Sequence, residues 1–198
     1  MKKIKTAECI TPMHPDKICD RVSDAVLDAC LEADPNSRVA IETMGGHGII
    51  FVTGEVTSDA QLNFAEIVQS VYQGDARVYV NVVKQSSFIA QGVDKGGAGD
   101  QGIMVGYACD ENPEMVPQEL YLARGLCKQI FKDYPFDGKT QVTLEDNKIT
   151  AVVASFQNAP TKDLKEIVEG WLTGQPSVSD GVQVFCNPAG EWTTGGSN

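Results

Sequence analysis

One succession of patterns, met twice in 198 residues, limits what this chain can fold into more than any other feature. From His14 to Ala33 the apolar residues Ile18, Val22, Ala25, Val26, Ala29 and Cys30 fall on one helix face, and Pro15 suits the first helical position. Val39 to Met44 and Ile49 to Val56 are rich in β-branched residues and flank the turn-forming Gly45-Gly46-His47-Gly48, which predicts a hairpin. Ser58 and Gln61 stand at capping-box spacing ahead of Phe64, Ile67, Val68 and Val71, a second helix, and Arg77 to Lys84 reads as a strand. The series then recurs as a helix from Pro117 to Tyr134, a hairpin from Gln141 to Phe156 turning at Asp146-Asn147, a helix from Thr161 to Leu172 and a strand from Val182 to Cys186. Two αββαβ units predict an α+β fold with helices layered on mainly antiparallel or mixed sheets.

Between the copies lies Gln85 to Gln101, where the run QGVDKGGAGDQG, which ends one residue further at Gly102, brings five glycines and no apolar periodicity. Such a stretch between strands is the best candidate for a functional loop.

Composition removes several classes of partner. A net charge of -11 repels phosphate backbones, and no basic stripe concentrates the cations, so nucleic acid is not expected. The longest apolar runs, such as Gly48 to Val52, fall far short of a membrane span, and Met1-Lys2-Lys3 leads into no signal-peptide core. The expected location is therefore cytoplasmic. Six scattered cysteines form no CxxC pair and have only His14 and His47 to complete a metal site, so they read as reduced, mostly buried thiols.

The residues able to carry chemistry form short motifs. They are His14-Pro15-Asp16-Lys17 with Ser23-Asp24-Ala25-Val26-Leu27-Asp28, Glu42-Thr43, Gly54-Glu55-Val56-Thr57, Lys84-Gln85-Ser86 and Gln91-Gly92-Val93-Asp94. Gly97-Ala98-Gly99-Asp100-Gln101-Gly102, Asp137-Gly138-Lys139-Thr140 and Asn187-Pro188-Ala189-Gly190 follow. Taken singly each has an ordinary reading. Asp16 belongs to a solvated i,i+4 stripe with Asp20, Asp24 and Asp28, Asp137-Gly138-Lys139 is a turn, and Trp192 seals a core.

In this order, across nearly the whole chain, the motifs resemble the S-adenosylmethionine synthetases, whose signature includes HPDK and SDAVLD. The resemblance implies attack of the methionine sulfur on the ribose C5′ of ATP, with triphosphate leaving and then cleaved to pyrophosphate and phosphate. It assigns Asp16 to Mg²⁺, His14 and Lys139 to the polyphosphate as catalytic groups, and Glu42 to K⁺. Asp94 falls on ATP, Asp137 near its nucleoside, and Trp192 on adenine. Glu55, Asp100 and Gln91 fall on methionine. It further implies active sites between subunits of a homodimer or higher oligomer, or a second polypeptide that completes them. By the same resemblance, residues 13–111 form a central-type domain and residues 1–12 with 112–198 a discontinuous N-terminal-type domain, while the family's third domain is absent. The loop from Gln91 to Asp100 is shorter than is usual in the family, the stretch from Gln73 to Arg77 is trimmed, and Glu191 stands where arginine is common. A non-catalytic regulatory subunit that binds methionine or nucleotide is the alternative expectation.

Overall fold

The computed structural model describes residues 3–72, 74–93, 95–98 and 101–195. Its contacts divide the chain into two compact units, Met1–His14 with Tyr107–Gly196, and Pro15–Gly106. No helix of the described residues is long and apolar enough to cross a membrane.

The Pro15–Gly106 unit begins with α1 (Pro15–Ala33), followed by β2 (Arg38–Gly46), β3 (Ile49–Thr57), α2 (Phe64–Val71), β4 (Arg77–Val83) and α3 (Ser87–Val93). Strands β2 and β3 pair antiparallel and β3 and β4 parallel, in the order β2-β3-β4. Helix α1 buries Ile18, Val22, Val26 and Cys30, each four residues after the last, so one stripe of the helix meets the sheet. Ile18 and Val22 close over Ile50, Val52 and Val68, a core in which each fully buried aliphatic side chain contributes about 1.5–3 kcal/mol. The opposite face of the sheet stays open, with Met44 68%, Phe51 43% and Tyr79 42% exposed, and the Phe51 and Tyr79 rings stack at 4.9 Å between centroids.

In the other unit β1 (Ile4–Ile10) joins α4 (Gln118–Asp133), β5 (Gly138–Glu145), β6 (Lys148–Phe156), α5 (Thr161–Thr173) and β7 (Val178–Cys186). The sheet order is β1-β5-β6-β7, with only the β6–β7 pair parallel. Its core gathers Leu126, Ile130, Val142, Leu144, Val152, Phe156, Leu164 and Val168, all buried. The two units therefore share the expected α, antiparallel hairpin, α, parallel strand series, and the β3-α2-β4 and β6-α5-β7 crossovers match.

Several expectations change at element ends. The hairpin turns are two residues long. His47 and Gly48 take φ of 51° and 70°, and Asp146 and Asn147 take 48° and 66°, the left-handed pair that suits strand twist. Gly45 and Gly46 thus belong to β2 and not to the turn. Asn63 caps α2 by accepting from the Glu66 amide at 3.3 Å, whereas Ser58 accepts from Ala60 and bonds the Ser37 hydroxyl. The supposed loop after Val83 contains α3, and β1 is an element that the patterns did not reveal. Gly138 and Lys139 open β5 instead of forming a turn.

All six cysteines are free. Hydrogen bonding to Cys9, then burial, holds the Cys127 thiol well above the ordinary cysteine range, which makes it a core thiol and not a nucleophile.

Gly54 carries a φ of +134°, and a Cβ there would lie 2.0 Å from the Ala40 carbonyl oxygen across the hairpin. Gly54→Ala should cost about 3 kcal/mol or more, read as a lower urea midpoint, and a midpoint equal to wild type would contradict this backbone reading. Glu111 accepts from Lys5 Nζ at 2.7 Å and from the Gln118 amide at 2.8 Å, tying β1 to the start of α4. The Lys5 hydrogen bond, then the Gln118 amide, holds the Glu111 carboxyl below the ordinary glutamate range. A lowered folded pKa contributes stability above about pH 4.5 that is lost as pH falls through the folded value. Melting curves between pH 6 and pH 3 should therefore show a shallower acid loss in Glu111→Gln than in wild type, and equal slopes would count against the tie.

Candidate functional site

The ladder of the four-stranded sheet decides where the site residues of this unit go. Ile10 pairs with Lys139, Gly138 with Phe156, and Ala154 with Cys186. The chain leaving β1, β6 and β7 and the segment entering β5 consequently sit at one end of the sheet. His14 follows β1, Asp137 precedes β5, Lys139 is its second residue, and Trp192 follows β7. The structure brings these four to that shared end.

Backbone hydrogen bonds fix the segment that enters β5. The Phe136 carbonyl accepts from Thr11 Oγ1 at 2.9 Å, the Asp137 carbonyl from the Gln157 amide at 2.9 Å, and the Gly138 carbonyl from the Thr11 amide at 2.9 Å. Gly138 is also required by space, because a Cβ would come 2.4 Å from the Phe156 ring. Asp137 is buried, and Lys139 extends its ammonium to Glu8 at 3.3 Å with its side chain 45% exposed. An ion pair this open is worth little to stability, which leaves the lysine able to meet another anion.

The tail beyond β7 is fastened by a second set. Asn187, 5% exposed, accepts from the Phe156 amide at 3.0 Å and donates to the Ala159 carbonyl at 2.9 Å. The Asn158 amide donates to the Trp192 carbonyl at 2.9 Å, and Gln157 Nε2 to the Thr193 carbonyl at 2.8 Å. Glu191 accepts from the Thr161 amide at 2.7 Å in the first turn of α5, where Pro160 provides no side-chain cap. A carboxylate there satisfies an orphan amide and meets the positive end of the helix dipole. This gives the glutamate a reason at a position where arginine was the expected residue type.

In the Pro15–Gly106 unit the expected residues are more dispersed. Asp16 lies exposed in the first turn of α1, whose Pro15, Ile18 and Cys19 line a small cavity with Gly45, Gly46 and Gly48 of the hairpin end. Glu42 lies opposite Thr53 and lines a depression of about 710 Å³ on the open sheet face with Met44, Phe51, Tyr79 and Asn81. Glu55 lies opposite Ala40, toward the other end of the hairpin. Gln91 sits on α3, not on a loop, while Asp94 and Asp100 lie outside the described residues. Among the described residues no three His, Cys, Asp or Glu side chains form a cluster able to hold a metal alone.

Glu8, Thr11, Gln157 and Asn187 are parts of the first site that the motifs did not single out by role. Asn187 at least carried a signal, an Asn-Pro step before a glycine.

Asn187→Ala should leave the Phe156 amide and the Ala159 carbonyl unpaired in a buried place and lower stability by about 3 kcal/mol. Chemical denaturation measures this, and a loss under about 0.5 kcal/mol would contradict the clamp.

Comparisons with known proteins match both parts of the chain. Residues 2–87 match the family model for the S-adenosylmethionine synthetase N-terminal domain, and residues 95–192 match that for the central domain. The models run in chain order, whereas the backbone contacts give β1 to the later unit. Among curated relatives, an S-adenosylmethionine synthase of Prochlorococcus marinus strain MIT 9313 is 46% identical over 77% of this chain and 42% of its own length. One from strain MIT 9211 is 39% identical over 96% of this chain and 60% of its own length, and one from Clostridium tetani is 35% identical over 99% and 62%. The chain thus spans about 40–60% of these relatives. The MIT 9211 match runs over 248 positions, more than the 198 residues here, so that relative also carries internal stretches with no counterpart in this chain. With both domain models matched in order and relatives similar along nearly all of its length, the chain belongs to the S-adenosylmethionine synthetase family.

Proposed function

We propose that this chain acts as a methionine adenosyltransferase, joining L-methionine to the adenosyl group of ATP in an assembly of more than one polypeptide. The observation that carries this reading is the gathering of His14, Asp137, Lys139 and Trp192 at one end of the four-stranded sheet, where the strand ends bring a cation, an imidazole, a carboxylate and an indole into one region. In the reaction the methionine sulfur uses a lone pair to form the bond to C5′. The bond from C5′ to the triphosphate oxygen breaks, and its electron pair leaves with the triphosphate. The sulfur becomes a sulfonium. A thioether has no proton to lose in this step, so no general base is needed, and catalysis consists of alignment and of stabilising charge on the leaving group.

Lys139 and His14 would supply donors to the polyphosphate, Asp137 would orient the nucleoside, and Trp192 would stack on adenine. On the methionine side, Glu55 and Asp100 would face the ammonium group and Gln91 the carboxylate, with Asp94 on the nucleotide. The donor set fits Mg²⁺. That ion keeps several waters and takes one or two carboxylates together with substrate phosphates, so the exposed Asp16 carboxylate suffices without an all-protein cage. Mg²⁺ held there would offset the charge that builds on the leaving polyphosphate. Glu42, an exposed carboxylate opposite Thr53, offers K⁺ the same kind of hard oxygen donors. The exposed ladder of Met44, Phe51 and Tyr79 supports association through an open sheet face, in a homodimer or larger oligomer or with a second polypeptide.

A second reading, a non-catalytic subunit that binds nucleotide or methionine, draws support from the Glu8 carboxylate that already shares the Lys139 charge. One assay separates the two. Purified chain, alone and with a full-length relative, is incubated with ATP, methionine, Mg²⁺ and K⁺, and S-adenosylmethionine is measured by mass spectrometry. Turnover attributable to this chain is expected, with Asp16→Asn lowering it about 100-fold while melting temperature stays within a degree or two of wild type. Nucleotide binding without any turnover would favour the regulatory reading, and full turnover in Asp16→Asn would remove the metal assignment.

A further inference from the structure

We infer that Thr11 is a positioning residue for the polyphosphate-binding groups, the joint that holds the His14 motif and the Asp137-Lys139 motif in one arrangement. The inference rests on the phosphate reading of that end of the sheet and deepens it. Thr11 is a hydroxyl side chain with 0% exposure, one residue beyond β1, and its burial has a specific use. Its hydroxyl donates to the Phe136 carbonyl at 2.9 Å and its amide donates to the Gly138 carbonyl at 2.9 Å. Those two carbonyls bracket Asp137, and Lys139 is the next residue after the second. On its other side the Thr11 carbonyl accepts from the His14 amide at 3.1 Å, which sets the turn that carries the imidazole. Amide, carbonyl and hydroxyl of one residue thus grip both motifs, and those motifs are more than 120 positions apart in sequence.

The accounting of acceptors makes the grip tight. The remaining carbonyl of the three, that of Asp137, is taken by the Gln157 amide, so none of the three successive carbonyls depends on solvent. Losing the Thr11 hydroxyl removes the one side-chain donor in the set and frees the Phe136 carbonyl to rotate. The shift passes along the chain to Asp137 and Lys139. A displacement near 1 Å in a site that works by alignment lowers its performance far more than it lowers stability.

Ile149 provides the control, since it is buried near the start of β6, opposite Leu144 and Val178 at the far end of the same sheet. Binding of inorganic triphosphate with Mg²⁺ to the full chain is measured by calorimetry, well below the melting temperature, for wild type, Thr11→Val, Thr11→Ser, Ile149→Val and Lys139→Ala. Thr11→Val is expected to weaken binding about tenfold, Thr11→Ser to restore it to within about twofold, and Ile149→Val to lower melting temperature while leaving the binding constant unchanged. Wild-type affinity in Thr11→Val, or equal weakening in both valine variants, would overturn the positioning role. If Lys139→Ala binds triphosphate as wild type does, the phosphate reading itself fails; if it weakens binding while Thr11→Val does not, only the role of Thr11 fails.

Discussion

The hydrogen-bond ladder between β1 and β5 is the constraint on which the rest of this structure depends. It carries the first residues of the chain into a sheet whose other strands begin at Gly138, pairing Ile4 with Glu145 and Ile10 with Lys139. Long-range pairing of this kind is entropically costly to close, and it is held by more than the ladder. Lys5 reaches Glu111 and Glu119, Thr6 bonds Thr143, and α4 packs over both strands. Because the register is fixed, the residues that follow β1 are delivered next to those that open β5. A slip by one residue would turn every side chain of β1 to the other face and carry His14 away from the 136–138 carbonyls.

The site at that sheet end is built chiefly from backbone groups held by polar side chains. Thr11, Gln157 and Asn187 are all buried and all use their bonds to fasten carbonyls or amides of the segments that bear Asp137, Lys139 and Trp192. Buried polar groups of this sort cost free energy unless they are satisfied, and here the carbonyls and amides that they hold satisfy them. Glu191 applies the same logic at the start of α5, where it replaces a missing cap.

How much of this was legible in the sequence depended on whether the signal was local. Helix α1 showed because Ile18, Val22, Val26 and Cys30 keep a helical period, and the second hairpin showed because Asp146 and Asn147 are residue types that accept positive φ. Strand β1 stayed hidden because its helix-facing positions are Lys5, Ala7 and Cys9 while Ile4 faces out at 68% exposure, which scrambles the period of two. Helix α3 was masked by the glycines around it. Ser58 looked like the cap of α2 by spacing alone, but Asn63 stands nearer the helix and takes the role. At the site, the motifs named His14, Asp137, Lys139 and Trp192, whereas Glu8 and Thr11 act through contacts across some 130 positions and no local pattern could expose them.

The central claim is that one end of the four-stranded sheet receives the polyphosphate and adenine of ATP. Amide and indole NMR shifts of labelled chain, followed during titration with a non-hydrolysable ATP analogue and Mg²⁺, test it most directly. Saturable shifts should concentrate at His14, at residues 137–139 and at the Trp192 indole. Saturation with those signals unmoved, and shifts confined to residues of the β2-β3-β4 sheet, would contradict it.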